Sequence, residues 1–176
     1  MCGIVGLFAK KDNISANLGV HLSKMLESMS DRGPDSAGLA IYGKPLASKT
    51  KITVQSKSPK HDFQKLKKFL SAKKEVSFSF KIHSTHAVIE LDVSQKDQVT
   101  NLIKDTFPTL RILSFGKKME IYKEIGKPAE VVKRFEIAKM KGSHGIGHTR
   151  MATESAVTTL GAHPFSTGED QCLVHN

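Results

Sequence analysis

The hydrophobic positions change period several times along the chain, and each change marks an element. Residues 4–9 form a short continuous apolar run, the pattern of a buried strand. Leu18, Leu22, Met25, Leu26 and Met29 then recur three or four apart and predict a helix over residues 15–29. Residues 36–42 read as the next strand, ended by Gly43-Lys44-Pro45. In the middle of the chain, residues 51–55 alternate as a strand, and Phe63, Leu66 and Leu70 mark a short helix. Val76, Phe78 and Phe80 share one face of a strand, and residues 87–91 make another. Ser94 with Asp97 has the form of a capping box, opening a helix that carries Val99, Leu102, Ile103 and Phe107. Residues 110–115 and 119–125 are strands around a Gly116-Lys117 turn, and Pro128 fits the first turn of a helix bearing Val131, Phe135 and Ala138. The middle order β-α-β-β-α-β is that of a ferredoxin-like split unit. Taken alone, the pattern reaches a chain of mixed α and β.

Composition narrows this. A chain of 176 residues buries one sizeable core or two small ones, and 39% hydrophobic with 25% charged residues reads as globular. The apolar run at residues 4–9 is too short to span a membrane and lacks the basic start of a signal peptide. Two cysteines, Cys2 and Cys172, do not make a disulfide framework, which favours the cytoplasm. The net charge of +10 is uneven. Residues 1–43 sum to zero, residues 44–141 to +12 and residues 142–176 to −2. The excess is nearly all Lys, broken only by Arg111 and Arg134, and no aromatic-rich RNA-binding pattern accompanies it. A solvated Lys-rich surface is therefore expected, rather than a nucleic-acid site.

The candidate chemistry begins at the second residue. Removal of Met1 would leave Cys2 with a thiol and a free α-amine on one residue. That amine has an ordinary pKa near ~8, so it can serve as the base that activates the thiol. Three further segments stand behind Cys2-Gly3-Ile4-Val5-Gly6. They are Arg32-Gly33-Pro34-Asp35-Ser36-Ala37-Gly38, then Gly147-His148-Thr149-Arg150-Met151-Ala152-Thr153, then Val174-His175-Asn176. Four separated motifs in this order resemble the glutaminase domain of the class II glutamine amidotransferases, which are N-terminal-nucleophile (Ntn) hydrolases.

That resemblance implies an α+β fold, the N-terminal part of an Ntn-hydrolase αββα sandwich with an inserted α/β lobe. Residues 1–176 would be a partial amidotransferase domain, with the Lys-rich insertion at about residues 44–140. The implied catalytic residues are Cys2 and Asn176, the latter as an oxyanion-hole donor. Arg150 and Thr153 would hold the α-carboxylate of glutamine, a task suited to a bidentate guanidinium. Gly3, Arg32, Gly33, Asp35 and His175 would support them. The Gly expected after Asn176 and a downstream amine-binding Asp are absent, so the sequence is expected to cover only the front of the domain, and as it stands to be unprocessed and inactive. Met151, Glu154 and the His163-Pro164-Phe165 segment look like the stand-alone amidotransferase subunits of glutamate synthase and N-methylglutamate synthase rather than the sugar-phosphate-aminating members.

The implied partners are glutamine, a synthase subunit that accepts the ammonia, and further subunits of an oligomer. No cofactor and no metal are implied. His144, His148 and His163 fit no common zinc spacing, His83 and His86 read as surface residues of a hairpin, and Gly142, Gly145 and Gly147 form no nucleotide fingerprint. Two other readings remain open. One is an Ntn amidohydrolase acting on a different amide. The other is a catalytically silent subunit whose Lys-rich lobe docks on an acidic protein or nucleic acid.

Overall fold

A computed structural model describes residues 2–152 and 156–176. In chain order its elements are β1 (Gly3–Phe8), α1 (Asp12–Ala16), α2 (Leu18–Ser28), β2 (Ser36–Tyr42), β3 (Lys49–Gln55), α3 (Pro59–Ser71), β4 (Phe78–His83) and β5 (His86–Asp92). They continue with α4 (Lys96–Thr106), β6 (Arg111–Gly116), β7 (Met119–Ile125), α5 (Pro128–Arg134), β8 (His144–Arg150), β9 (Phe165–Gly168) and β10 (Gln171–Leu173). The fold is α+β with several antiparallel pairings.

Two units make up the chain. Met1–Lys44, Ile121–Thr167 and Gln171–Asn176 form the first, and Pro45–Glu120 with Gly168–Asp170 form the second. Residues 121–140, which fall inside the 44–140 span expected from sequence, supply β7 and α5 to the first unit.

The first unit is built on a sheet of order β1-β8-β2-β7. Helix α2 packs on β1 and β8, and α5 packs on β2. Leu18, Leu22 and Leu26, one helical face, are fully buried, together with Val5, Leu39 and Ile41 from the strands. Gly145 and Gly147 of β8 make this packing possible. A Cβ at Gly145 would stand 2.5 Å from Leu22 Cδ1, and one at Gly147 would stand 3.0 Å from Leu26 Cδ2. These glycines let a helix lie close, which is the role the absent nucleotide fingerprint left unexplained. Pro128 opens α5, as the sequence predicts, and Glu130 accepts the Lys127 N–H at 3.3 Å.

The second unit has the strand order β4-β5-β3-β6 with neighbours antiparallel, and the helices α3 and α4 follow β3 and β5. This is the expected split β-α-β-β-α-β order. Its core joins Ile52 and Val54 of β3 to Ala87, Ile89 and Leu91 of β5 beneath Phe63, Leu66 and Leu70 of α3 and Val99 and Ile103 of α4. The capping box of Ser94 and Asp97 does not form. Asp92 captures Ser94 first, accepting its N–H at 2.9 Å and its hydroxyl at 2.6 Å, and a short 3-10 turn (Val93–Gln95) precedes α4. His86 is fully buried, not a surface residue, and Thr85 Oγ1 lies 3.1 Å from its Nδ1. Lys51 also departs from the solvated-Lys expectation: it is 8% exposed and pairs with Glu120 at 2.5 Å.

Among the described residues no helix is long and apolar enough to cross a membrane. Phe63 is 1% exposed and anchors α3, so Phe63→Ala should cost about 3–5 kcal/mol of stability. Hydrogen exchange should report that loss within residues 45–120.

Candidate active site

The pairing of β1 with β8 assembles the site. Gly3 lies opposite Thr149 and Ser36 lies opposite Arg150, so one further step along the register brings Cys2 level with Arg150. Three of the four sequence motifs therefore meet at one end of one sheet. Gly3 has no room for a side chain there, since a Cβ would stand 2.7 Å from Thr149 Oγ1 and 2.9 Å from Met29 Cβ. The small residue after Cys2 is needed for the strand to sit against its neighbours.

The fourth motif arrives from the chain's last residues. Asn176 Oδ1 accepts the Cys2 N–H at 3.1 Å. That nitrogen would become the α-amine once Met1 is removed. With Oδ1 turned to it, the Asn176 amide keeps its Nδ2 donors for other use. Cys2 is half-buried and unpaired, as is Cys172, whose Sγ lies 3.4 Å from the Tyr42 hydroxyl. Burial pushes the Cys172 thiol up, away from the thiolate form that reacts.

The loop before β2 braces this arrangement. Arg32 Nε donates to the Cys2 carbonyl at 3.4 Å. Gly33 presses flush on β8, where any Cβ would run into the Thr149–Arg150 peptide. Asp35 grips the chain beyond Arg150 twice, because its own N–H donates to the Arg150 carbonyl at 3.1 Å and its Oδ2 accepts the Ala152 N–H at 2.8 Å. Arg150 itself is half-buried, and its guanidinium lies beside Gly161, where a Cβ would stand 3.5 Å from Nη1. Thr153 and Glu154 lie outside the described residues.

A histidine cluster sits beside these residues, made of His148 and His163, which the sequence offered only as a failed zinc spacing, and His175 of the Asn motif. His148 and His163 are 0% and 5% exposed. Their ring centres are 4.2 Å apart, and His163 stands edge-on to His175 at 4.5 Å. His148 Nε2 lies 2.9 Å from the His175 carbonyl, which requires the tautomer carrying its proton on Nε2. Desolvation holds both buried imidazoles below the ordinary histidine range, with His163 pushed down to about 4. The neighbouring His148, His175, Lys123 and Arg150 reinforce the shift on His163. Among the described residues no group of three His, Cys, Asp or Glu is arranged to hold a metal ion.

Comparison with known proteins agrees with the motifs. Over all 176 residues the chain is 55% identical to the glutamine amidotransferase-like protein GlxB of Rhizobium meliloti (strain 1021). A protein of Methanothermobacter thermautotrophicus is 32% identical over 198 aligned positions that include the whole chain. The chain spans 58% and 61% of these two relatives. A 61-residue stretch, 35% of the chain, is 43% identical to a glutamine–fructose-6-phosphate aminotransferase of Bradyrhizobium diazoefficiens, of which it covers 10%. No family model matches the chain. The chain carries a class II glutamine amidotransferase domain.

The His163 shift has a consequence for stability. In the unfolded chain a histidine takes up its proton near pH ~6.5, while in the fold His163 resists it until about 4. The unfolded state then binds more protons between those values, so stability falls as pH drops from 6.5 toward 4. Thermal unfolding followed across that range should show the loss, and His163→Phe should flatten it.

Proposed function

We propose that this chain is the glutaminase part of an amidotransferase, and the observation that carries the proposal is the Cys2 N···Asn176 Oδ1 contact of 3.1 Å. It brings together a nucleophile, its base and an oxyanion donor from opposite ends of the sequence. Cys2 Sγ attacks the side-chain carbonyl carbon of glutamine, and the thiol proton passes to the α-amine of Cys2. The Asn176 amide donates to the oxygen that gains charge. The C–N bond then breaks, the amine returns the proton to the leaving nitrogen, and ammonia departs from a γ-glutamyl thioester. Water, deprotonated by the same amine, cleaves the thioester and releases glutamate. Arg150 receives the substrate α-carboxylate, and Thr153 would meet it from the adjoining segment. Arg32, Gly33 and Asp35 keep the nucleophile strand in place.

The ammonia goes to a partner synthase subunit. Met151 and the His163-Pro164-Phe165 segment support a place among the glutamate-synthase-like subunits, working in an oligomer. Two unpaired cysteines and a nucleophile that must stay reduced support a cytoplasmic setting. In fold terms the reading is the front of an Ntn αββα sandwich, with residues 45–120 as the inserted lobe. Its support is the exposure of Ile4 and Phe8 on the sheet face turned away from α2, where a second sheet would sit.

Intact mass after exposure to a diazo-ketone analogue of glutamine tests the proposal. The expected result is loss of Met1 and one adduct, absent in Cys2→Ala. Retained Met1 with no adduct would overturn the enzyme reading and favour a silent interaction subunit. In an active preparation, Asn176→Ala should lower kcat about 10²–10³-fold. Arg150→Ala should instead act mainly by raising KM for glutamine, because it removes binding shared by ground and transition states.

A further inference from the structure

Strand β7 carries two buried charges that the chemistry above does not use. Lys123 and Glu124 are each 4% exposed, and as strand neighbours they point to opposite faces. Glu124 lies 3.7 Å from Arg134 of α5 and accepts the Thr159 hydroxyl. On the other face, Lys123 Nζ donates to the carbonyls of Ala162 at 2.7 Å and Pro164 at 3.1 Å. It also stands 4.6 Å from the centre of the Phe165 ring. The loop over residues 158–164 thus wraps the outer edge of the sheet and is gripped from both sides. Burial pushes the Lys123 ammonium down to about 8. Desolvating a cation is expensive, and an apolar side chain of similar length would fill the same space at lower cost. What an apolar chain lacks is the two donated hydrogen bonds.

The peptide that Lys123 grips carries His163 between its two acceptors. His163 packs on His148 and stands edge-on to His175, and the His175 carbonyl is tied to His148. Asn176 is the next residue. We infer that Lys123 is a positioning residue for the oxyanion donor: by fixing the Ala162 and Pro164 carbonyls it seats His163 against His148 and His175, and that seat sets where Asn176 stands relative to Cys2. The inference rests on the glutaminase reading for its catalytic consequence, but its structural half stands on this contact chain alone.

The test compares wild type, Lys123→Met and Lys123→Gln in the full-length protein with Met1 removed. The Met variant keeps the length and loses both donors, while the Gln variant keeps a two-donor amide on a shorter chain. Misplacing a donor by about 1 Å costs on the order of 10²-fold in rate, so Lys123→Met should lower kcat by roughly 10–100-fold. KM for glutamine should stay within about threefold, because Arg150 is braced separately by Asp35. Lys123→Gln should recover part of the kcat. A Met variant with wild-type kcat, or with a kcat that falls only as far as its folded fraction measured by circular dichroism, overturns the inference. Should that variant not fold, the same criteria apply to Lys123→Gln. Hydrogen exchange supplies the readout that needs no activity. Faster exchange in the gripped loop that extends to residues 171–176 supports the inference even if wild type proves unreactive toward glutamine, in which case the glutaminase reading alone fails. Unchanged exchange there overturns it.

Discussion

The pairing of β1 with β8 is the constraint on which the rest of the first unit depends. Strand β8 lies between β1 and β2, so its register fixes two neighbours at once. Gly3 against Thr149 and Ser36 against Arg150 bring three motifs, separated by up to about 150 positions, to one sheet end. A shift of one residue would turn every side chain of β1 to the wrong face, burying Ile4 against α2 and expelling Val5. Both faces of β1 are apolar, so it is the close fit of Gly3 against Thr149 and Met29 that guards the location of the nucleophile. It does so without any side chain of the strand taking part in the chemistry.

Around that register the helices and loops act as spacers. Gly145 and Gly147 bring α2 down onto β8, and Gly33 lets the loop before β2 lie against the Thr149–Arg150 peptide. Asp35 then fixes the backbone on either side of Met151. The site is thus held mostly by main-chain hydrogen bonds and close backbone approach. Such support is rigid, because it does not rely on long side chains that would have to be ordered at an entropic cost.

Much of this was legible in the sequence because its signals are local. Cys2, Arg32, Gly33, Asp35, Arg150, His175 and Asn176 announce themselves in short motifs, and the motif order implied that they would meet. The elements of the second unit were legible from periodicity, since α3 and α4 each expose one face and bury the other. Other features were hidden for physical reasons. The hairpin of β9 and β10 has strands of only four and three residues with mixed polarity, too short to show a period. His163 and His148 lie fifteen positions apart, and nothing local reveals that their rings meet. Lys123 stands in the alternating strand Met119–Ile125, where a Lys reads as pointing to solvent. Its burial depends on a loop some forty residues later that offers two carbonyl oxygens.

The neighbouring Lys123 and Glu124 also make β7 intolerant of error in a second way. Hydrophobic patterning alone distinguishes weakly between two placements of a strand whose residues are nearly all buried. A one-residue slip of β7 would set the Glu124 carboxylate against the Ala162 and Pro164 carbonyls, anion facing acceptors with no proton between them. It would also turn the Lys123 ammonium toward the Arg134 guanidinium, cation facing cation. The edge strand thus carries an electrostatic key as well as an apolar one, and only one alignment opens the lock on both faces.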